Sequence, residues 1–261
     1  MSVFDQQIAE VAAYAERLRG LDRPSKLFEW PGSPEALRKG LPVSVGPNAN
    51  SGIILRGDTF VELGNPQAGS CACLLWTDDP SLVVDGRIAL FGPDIPESSG
   101  ASLPFGQVLI AGGRDLAPED HEKLQQAQLV SDQIEGYMVR SASQNVWSRV
   151  SREAAGKGFD FETLGRALLD LVKTGAPKVS AMEILFVTSS KQDVSELQGL
   201  ASTAKNAGGE ILKEAWKARG YDLDCDYDCS SCHDESVCDE IRDVIVTKHD
   251  QAVAERDGGS S

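Results

Sequence analysis

Positive charge is scarce in this chain of 261 residues: 25 lysines and arginines stand against 40 aspartates and glutamates, a formal net charge of −15. A surface that acidic repels nucleic-acid phosphates and anionic lipid head groups, so neither is an expected partner. No apolar run approaches the roughly 18 residues that a membrane-crossing helix needs, and none is expected. Glycine-rich phosphate loops are missing, since neither GxGxxG nor GxxxxGK followed by Ser or Thr occurs. Gly112-Gly113-Arg114 reads as an ordinary turn. The three histidines are too scattered to argue a Ser–His–Asp or Cys–His nucleophile, and His121, at a polar helix start, reads as a surface residue. Residues 1–19 are amphipathic and charged, without the apolar core of a secretory leader, so a reducing, cytoplasmic setting is expected. No internal repeat or low-complexity tract is present.

Cysteine is also sparse, yet four of the six crowd into one stretch: Cys225, Cys229, Cys232 and Cys238, spaced C-x3-C-x2-C-x5-C. Thiolates that close together in sequence converge on one centre without long-range folding. In a reducing compartment that pattern favours metal over disulfides. Number and spacing suit a [4Fe–4S] cluster or a tetrahedral zinc. Structural zinc favours two separated knuckles, whereas one continuous loop suits the larger cubane, and the zinc alternative stays open. His233 reads as a flanking residue. Asp222, Asp224, Asp226, Asp228, Asp234, Glu235, Asp239 and Glu240 surround the loop. Their charge would disfavour adding an electron and hold a cluster at low potential, or they keep the loop solvated. Residues 238–246 read as a short helix burying Ile241, Val244 and Ile245. Cys71 and Cys73 alternate on a predicted strand, which points both sulfurs to one face. They read as buried core cysteines.

The expected fold is α+β: a mixed, largely antiparallel sheet with packed helices and a C-terminal cysteine-rich metal loop. Residues 1–50 read as an N-terminal helix, over 4–18 with Ile8, Val11, Ala12, Ala15 and Leu18 on one face, followed by an irregular arm. Residues 51–220 form the α+β domain. Strands are expected over 53–63, 71–77, 87–91 and 107–111, separated by Gly57-Asp58, Gly64-Asn65-Pro66, Asp85-Gly86 and Gly92-Pro93. Helices are expected over 119–138 and 161–172, with a short extended piece over 143–150 between them. A buried strand follows at 182–187, then a long helix over 193–218 broken at Gly208-Gly209. Residues 221–250 carry the cysteine loop and its short helix, and 251–261 a tail.

Five segments in this order resemble the N-terminal part of the acetyl-CoA synthase beta subunit, from the carbon monoxide dehydrogenase/acetyl-CoA synthase complex. They are Arg56 through Gly64 (RGDTFVELG), Ile88 through Ile95 (IALFGPDI), Gly136-Tyr137-Met138, Gln144 through Ser151 (QNVWSRVS), and Lys157-Gly158-Phe159 followed by Leu164 through Leu168 (LGRAL). The resemblance implies that family's middle-domain fold with a cluster. Cys229-x2-Cys232 and Cys238 take the place of the family's cluster cysteines. The later C-x-C pair that chelates the outer nickel has no counterpart downstream, so the nickel-binding half is expected to be absent. The resemblance further implies that Trp147, Arg149 and Arg140, with Arg152 nearby, occupy the segment suspected of contacting coenzyme A. Guanidinium groups pair with phosphates and an indole stacks on adenine, while the plainer reading is a core tryptophan beside surface arginines. Protein subunits of a larger anaerobic acyl-CoA or one-carbon enzyme complex are the expected partners, with a CoA thioester as ligand. The expected role is electron transfer or architecture. The competing readings are a zinc-stapled interaction module, and an enzyme acting on a CoA thioester through the cluster or Cys71 and Cys73.

Overall fold

Two mixed sheets and the helices around them make up residues Met1–Gly220, an α+β arrangement in the computed structural model. The structure describes residues 4–21, 23–49, 52–116, 120, 124, 133–142 and 145–218. Helix α1 (Asp5–Gly20) comes first, and strand β1 (Ser25–Glu29) and the short helix α2 (Pro34–Arg38) follow in the loop-rich stretch. Then come β2 (Thr59–Leu63), β3 (Ser70–Thr77), β4 (Arg87–Phe91), β5 (Ser102–Leu103) and β6 (Phe105–Gly112). The hairpin of β7 (Tyr137–Ala142) and β8 (Asn145–Ser151) leads into helices α3 (Arg152–Gly156) and α4 (Phe161–Gly175). Strand β9 (Ala181–Val187) and the long helix α5 (Lys191–Ala218) complete the unit.

The larger sheet runs β1-β4-β9-β6-β3, with β4–β9 and β6–β3 parallel and β1–β4 and β9–β6 antiparallel. Strands β3, β6 and β9 are buried along their whole length, which is why their sequences run as nearly unbroken apolar stretches instead of alternating. Phe105, Phe161 and Phe186 anchor the core, with ring centroids 5.0 to 6.0 Å apart. The smaller sheet runs β5-β2-β8-β7. Here β8 alternates, burying Val146, Ser148 and Val150 and turning Asn145, Trp147, Arg149 and Ser151 to the other face, as a half-covered strand must. Ser70, at the start of β3, ties the sheets together. Its hydroxyl donates to the Val146 carbonyl (2.6 Å) and accepts from the Val146 amide (2.7 Å).

Helix α4 is capped by Asp160, whose carboxylate accepts from the Thr163 amide at 2.7 Å, and it packs on β4 and β9. Asp94 locks the preceding loop to the same helix start by accepting from the Phe161 amide at 3.0 Å. Helix α5 lies on β3 and β6, and α1 packs on α5 and β3. The buried stripe of α1 is Ile8, Val11, Tyr14 and Leu18, so Tyr14 takes the place expected for the exposed Ala12. The Tyr14 hydroxyl donates to the Asp193 carbonyl on α5 at 2.7 Å, which satisfies its polar end inside the interface.

Three local expectations are corrected. The helix expected over 119–138 does not reach that far: Ile134 bridges to Val45, Gly136 turns with φ +72°, and Tyr137 onward is β7. A glycine in the left-handed region ends a helix, and the aromatic and β-branched residues after it suit a strand. Helix α5 runs through Gly208-Gly209 unbroken. Each glycine costs a helix only about 1 kcal/mol relative to alanine, and Val194, Leu197, Ala201 and Ala204 bury a continuous stripe before them. The strand expected over 53–63 is confined to β2, because Arg56–Asp58 forms a 3-10 turn.

Candidate functional site

The strongest motif of the sequence, Cys225, Cys229, Cys232 and Cys238, lies outside the described residues, as do His121, His233 and the acidic residues around the loop. Among the described residues, no group of three or more histidine, cysteine or acidic side chains is arranged to hold a metal ion. Cys71 and Cys73 are free thiols buried in β3, 0% and 8% exposed. Burial pushes both thiols up, Cys73 to about 12, and the neighbouring Cys73 raises Cys71 further. Thiols held in that form are poor nucleophiles and poor metal ligands.

Trp147, Arg149 and Arg140 lie on adjacent strands of the smaller sheet. Trp147 and Arg149 share the half-exposed face of β8, and Arg140 on β7 is the register partner of Trp147. The Arg149 guanidinium carbon sits 5.0 Å from the centre of the Trp147 ring, a cation–π stack. That guanidinium is already engaged. Two of its nitrogens lie 3.1 Å from the Glu62 carboxylate and a third donates to the Ile54 carbonyl at 3.2 Å. Glu62 lies opposite Arg149 in the β2–β8 ladder, so strand register brings the charges together. Burial alone would push the Glu62 carboxyl up, but hydrogen bonds from Asn65, Arg149 and Trp147 outweigh it and hold the group below the usual carboxylate range.

Beside this cluster opens a cleft of about 460 Å³ between three elements: the β2–β3 loop at Gly64, Pro66 and Gly69, strand β8 at Asn145 and Trp147, and the first turns of α5 at Lys191, Ser195 and Gln198. That volume lies in the range typical of small-molecule pockets. Two glycines give the loop its path. Gly64 has φ +70°, and an added Cβ would fall 2.2 Å from the Val146 carbonyl oxygen. Gly69 has φ +101° and lies under the Lys191 side chain, whose Cγ would be 3.1 Å from an added Cβ. The Lys191 ammonium donates to the Gln67 carbonyl at 3.0 Å and so holds the loop against the helix. Sequence reading found Trp147 but missed Lys191, Ser195 and Gln198. The signals that mark them are the turn glycines Gly64 and Gly69 and the Thr188-Ser189-Ser190 run where a buried strand meets a helix.

The sequence that builds this α+β unit and its cleft matches a known family. The family described as CO dehydrogenase/acetyl-CoA synthase complex beta subunit matches residues 41–194, and the chain belongs to it. Acetyl-CoA decarbonylase/synthase complex subunit beta 1 of Methanosarcina mazei is 30% identical over 200 residues, covering 75% of this chain and 38% of that protein. Its counterpart in Methanosarcina thermophila is 28% identical over 203 residues, covering 73% of this chain and 40% of that protein. Subunit beta of Methanopyrus kandleri is 32% identical over 156 residues, covering 58% and 33%. The chain thus spans about two-fifths of the length of the first two relatives. Among the described residues, no helix is long and apolar enough to cross a membrane.

Proposed function

We propose that this protein is a non-catalytic subunit of an acyl-CoA or one-carbon enzyme complex, carrying a [4Fe–4S] cluster and holding coenzyme A against Trp147. The observation that carries the reading is the family match over residues 41–194, because that span includes every strand of both sheets except β1 and most of the residues lining the cleft. The relatives are subunits of an acetyl-CoA decarbonylase/synthase complex by name, which supports protein partners of that kind. The donor set fits the cluster: four thiolates within one short stretch, Cys225, Cys229, Cys232 and Cys238, match the four sulfur ligands a cubane takes. Bound there, such a cluster supplies one-electron transfer. Because the thiols must deprotonate to ligate, loading releases protons and weakens as pH falls. Cys71 and Cys73, buried as thiols, stay out of this chemistry.

Oxygen-free purification tests the cluster. Brown protein with close to four irons and four sulfides per chain is expected, and a variant with all four loop cysteines changed to serine should be colourless and iron-free. Colourless protein that retains stoichiometric zinc would replace the cluster with a structural zinc staple. Coenzyme A binding is tested by tryptophan fluorescence: quenching in the native protein that disappears in Trp147→Leu is expected, and no quenching removes the coenzyme A role.

A further inference from the structure

We propose that the phosphate end of a ligand lying against Trp147 is bound by Lys191 on α5, and not by Arg149. The proposal rests on the coenzyme A reading above and names the cation that meets the anion in that cleft. Arg149 is unsuited to the task because its guanidinium already satisfies the Glu62 carboxylate and the Ile54 carbonyl, with its side chain only 17% exposed. Turning it toward a phosphate would strip Glu62, itself only 24% exposed, of its ion pair and leave a partly buried carboxylate uncompensated. Arg149 instead braces the indole from one side and fixes its plane.

Lys191 has the opposite character. An ammonium carries three donors, and among the described residues one of them has an acceptor, the neutral Gln67 carbonyl at 3.0 Å. Its side chain is exposed and lines the same cleft as Trp147. The stem crosses the β2–β3 loop directly over Gly69, a position that has no Cβ to block it. The acidic residue of that first turn, Asp193, does not compete for the ammonium: it is 2% exposed and bonded to Ser189 (2.5 Å) and Arg23 (3.3 Å). The start of α5 contributes the positive end of a long helix dipole to the same mouth. Ser195 and Gln198, one and two turns further along the cleft wall, add neutral hydrogen-bonding groups. A flat aromatic surface, an available cation and neutral polar groups around about 460 Å³ suit the nucleotide end of coenzyme A, with adenine toward Trp147 and phosphate at Lys191.

The test is binding of coenzyme A and of adenosine, which has no phosphate, to the full-length protein and to Lys191→Met, Lys191→Arg and Trp147→Leu, followed by calorimetry. Loss of one charge-assisted hydrogen bond corresponds to about a ten- to hundredfold weakening. Lys191→Met should weaken coenzyme A by that factor and leave adenosine unchanged, and Lys191→Arg should keep most of the affinity. Equal coenzyme A binding by Lys191→Met and native protein, with Trp147→Leu still defective, overturns the lysine assignment alone. Equal loss of adenosine and coenzyme A in Lys191→Met also overturns it, because the lysine then only holds the loop in place. Native protein that binds no coenzyme A, or binds it unchanged in Trp147→Leu, overturns the coenzyme A reading and this assignment with it.

Discussion

Replacing Gly64 by alanine tests how the cleft is built. The residue sits at φ +70° in the loop between β2 and β3, where a side chain is already disfavoured. The left-handed conformation costs an L-residue about 1–2 kcal/mol. The new methyl would also fall 2.2 Å from the Val146 carbonyl oxygen and 3.2 Å from both Phe105 Cβ and Ser70 Oγ, so backbone has to move. Overpacking of that kind adds about 1–3 kcal/mol. Together the loss is about 2–5 kcal/mol, equivalent to a fall in melting temperature of about 5–15 °C for a unit of this size. Urea unfolding followed by circular dichroism measures it, with an unchanged slope showing that stability and not compactness has altered. Gly199→Ala is the matched control. Gly199 lies within α5 with no atom within 4 Å of a Cβ built there, so this change should stabilise by up to about 1 kcal/mol. A Gly64→Ala protein as stable as the native one would refute the reasoning, as would two variants shifting in the same direction.

Other tests follow from the same structure. Phe186→Ala removes one of the three mutually packed rings Phe105, Phe161 and Phe186, and urea unfolding should register a loss of about 3–5 kcal/mol. Glu135 is held down to about 2 by the Lys157 ammonium and the Ser44 amide, so its contribution to stability is present above the ordinary glutamate range and lost as pH falls toward 2. In Lys157→Met the Glu135 carboxyl, followed by NMR, should titrate nearer the ordinary value of about 4.3, and an unmoved titration would refute the pairing. Alkylation of native, metal-free protein near pH 8 should spare Cys71 and Cys73 and label them only after unfolding; fast labelling of either in the native state would contradict their burial.

Much of the fold can be read from local pattern. The apolar runs of β3, β6 and β9 mark strands buried on both sides, and the spacing of Phe161, Leu164, Leu168 and Leu171 marks α4. Reading failed where local signals were ambiguous. Ile134 and Met138 keep helical spacing with residues before them, yet Gly136 turns the chain and Tyr137 enters a ladder with Val150. Gly208-Gly209 reads as a break because local propensity carries no information about the sheet on which α5 lies.

Amino-acid order alone determines the family motifs, the cysteine quartet and the strand and helix types, because each depends on neighbours within a few turns of chain. It also identifies Trp147 and Arg149 as a pair worth attention. Only tertiary structure decides what that pair does. Glu62 claims the Arg149 guanidinium across the β2–β8 ladder, and the loop at Gly69 passes beneath Lys191, far from both in sequence. Charges so separated in the chain meet only after strand register and helix packing are set. Which cation stays available to a ligand is therefore a property of the assembled fold.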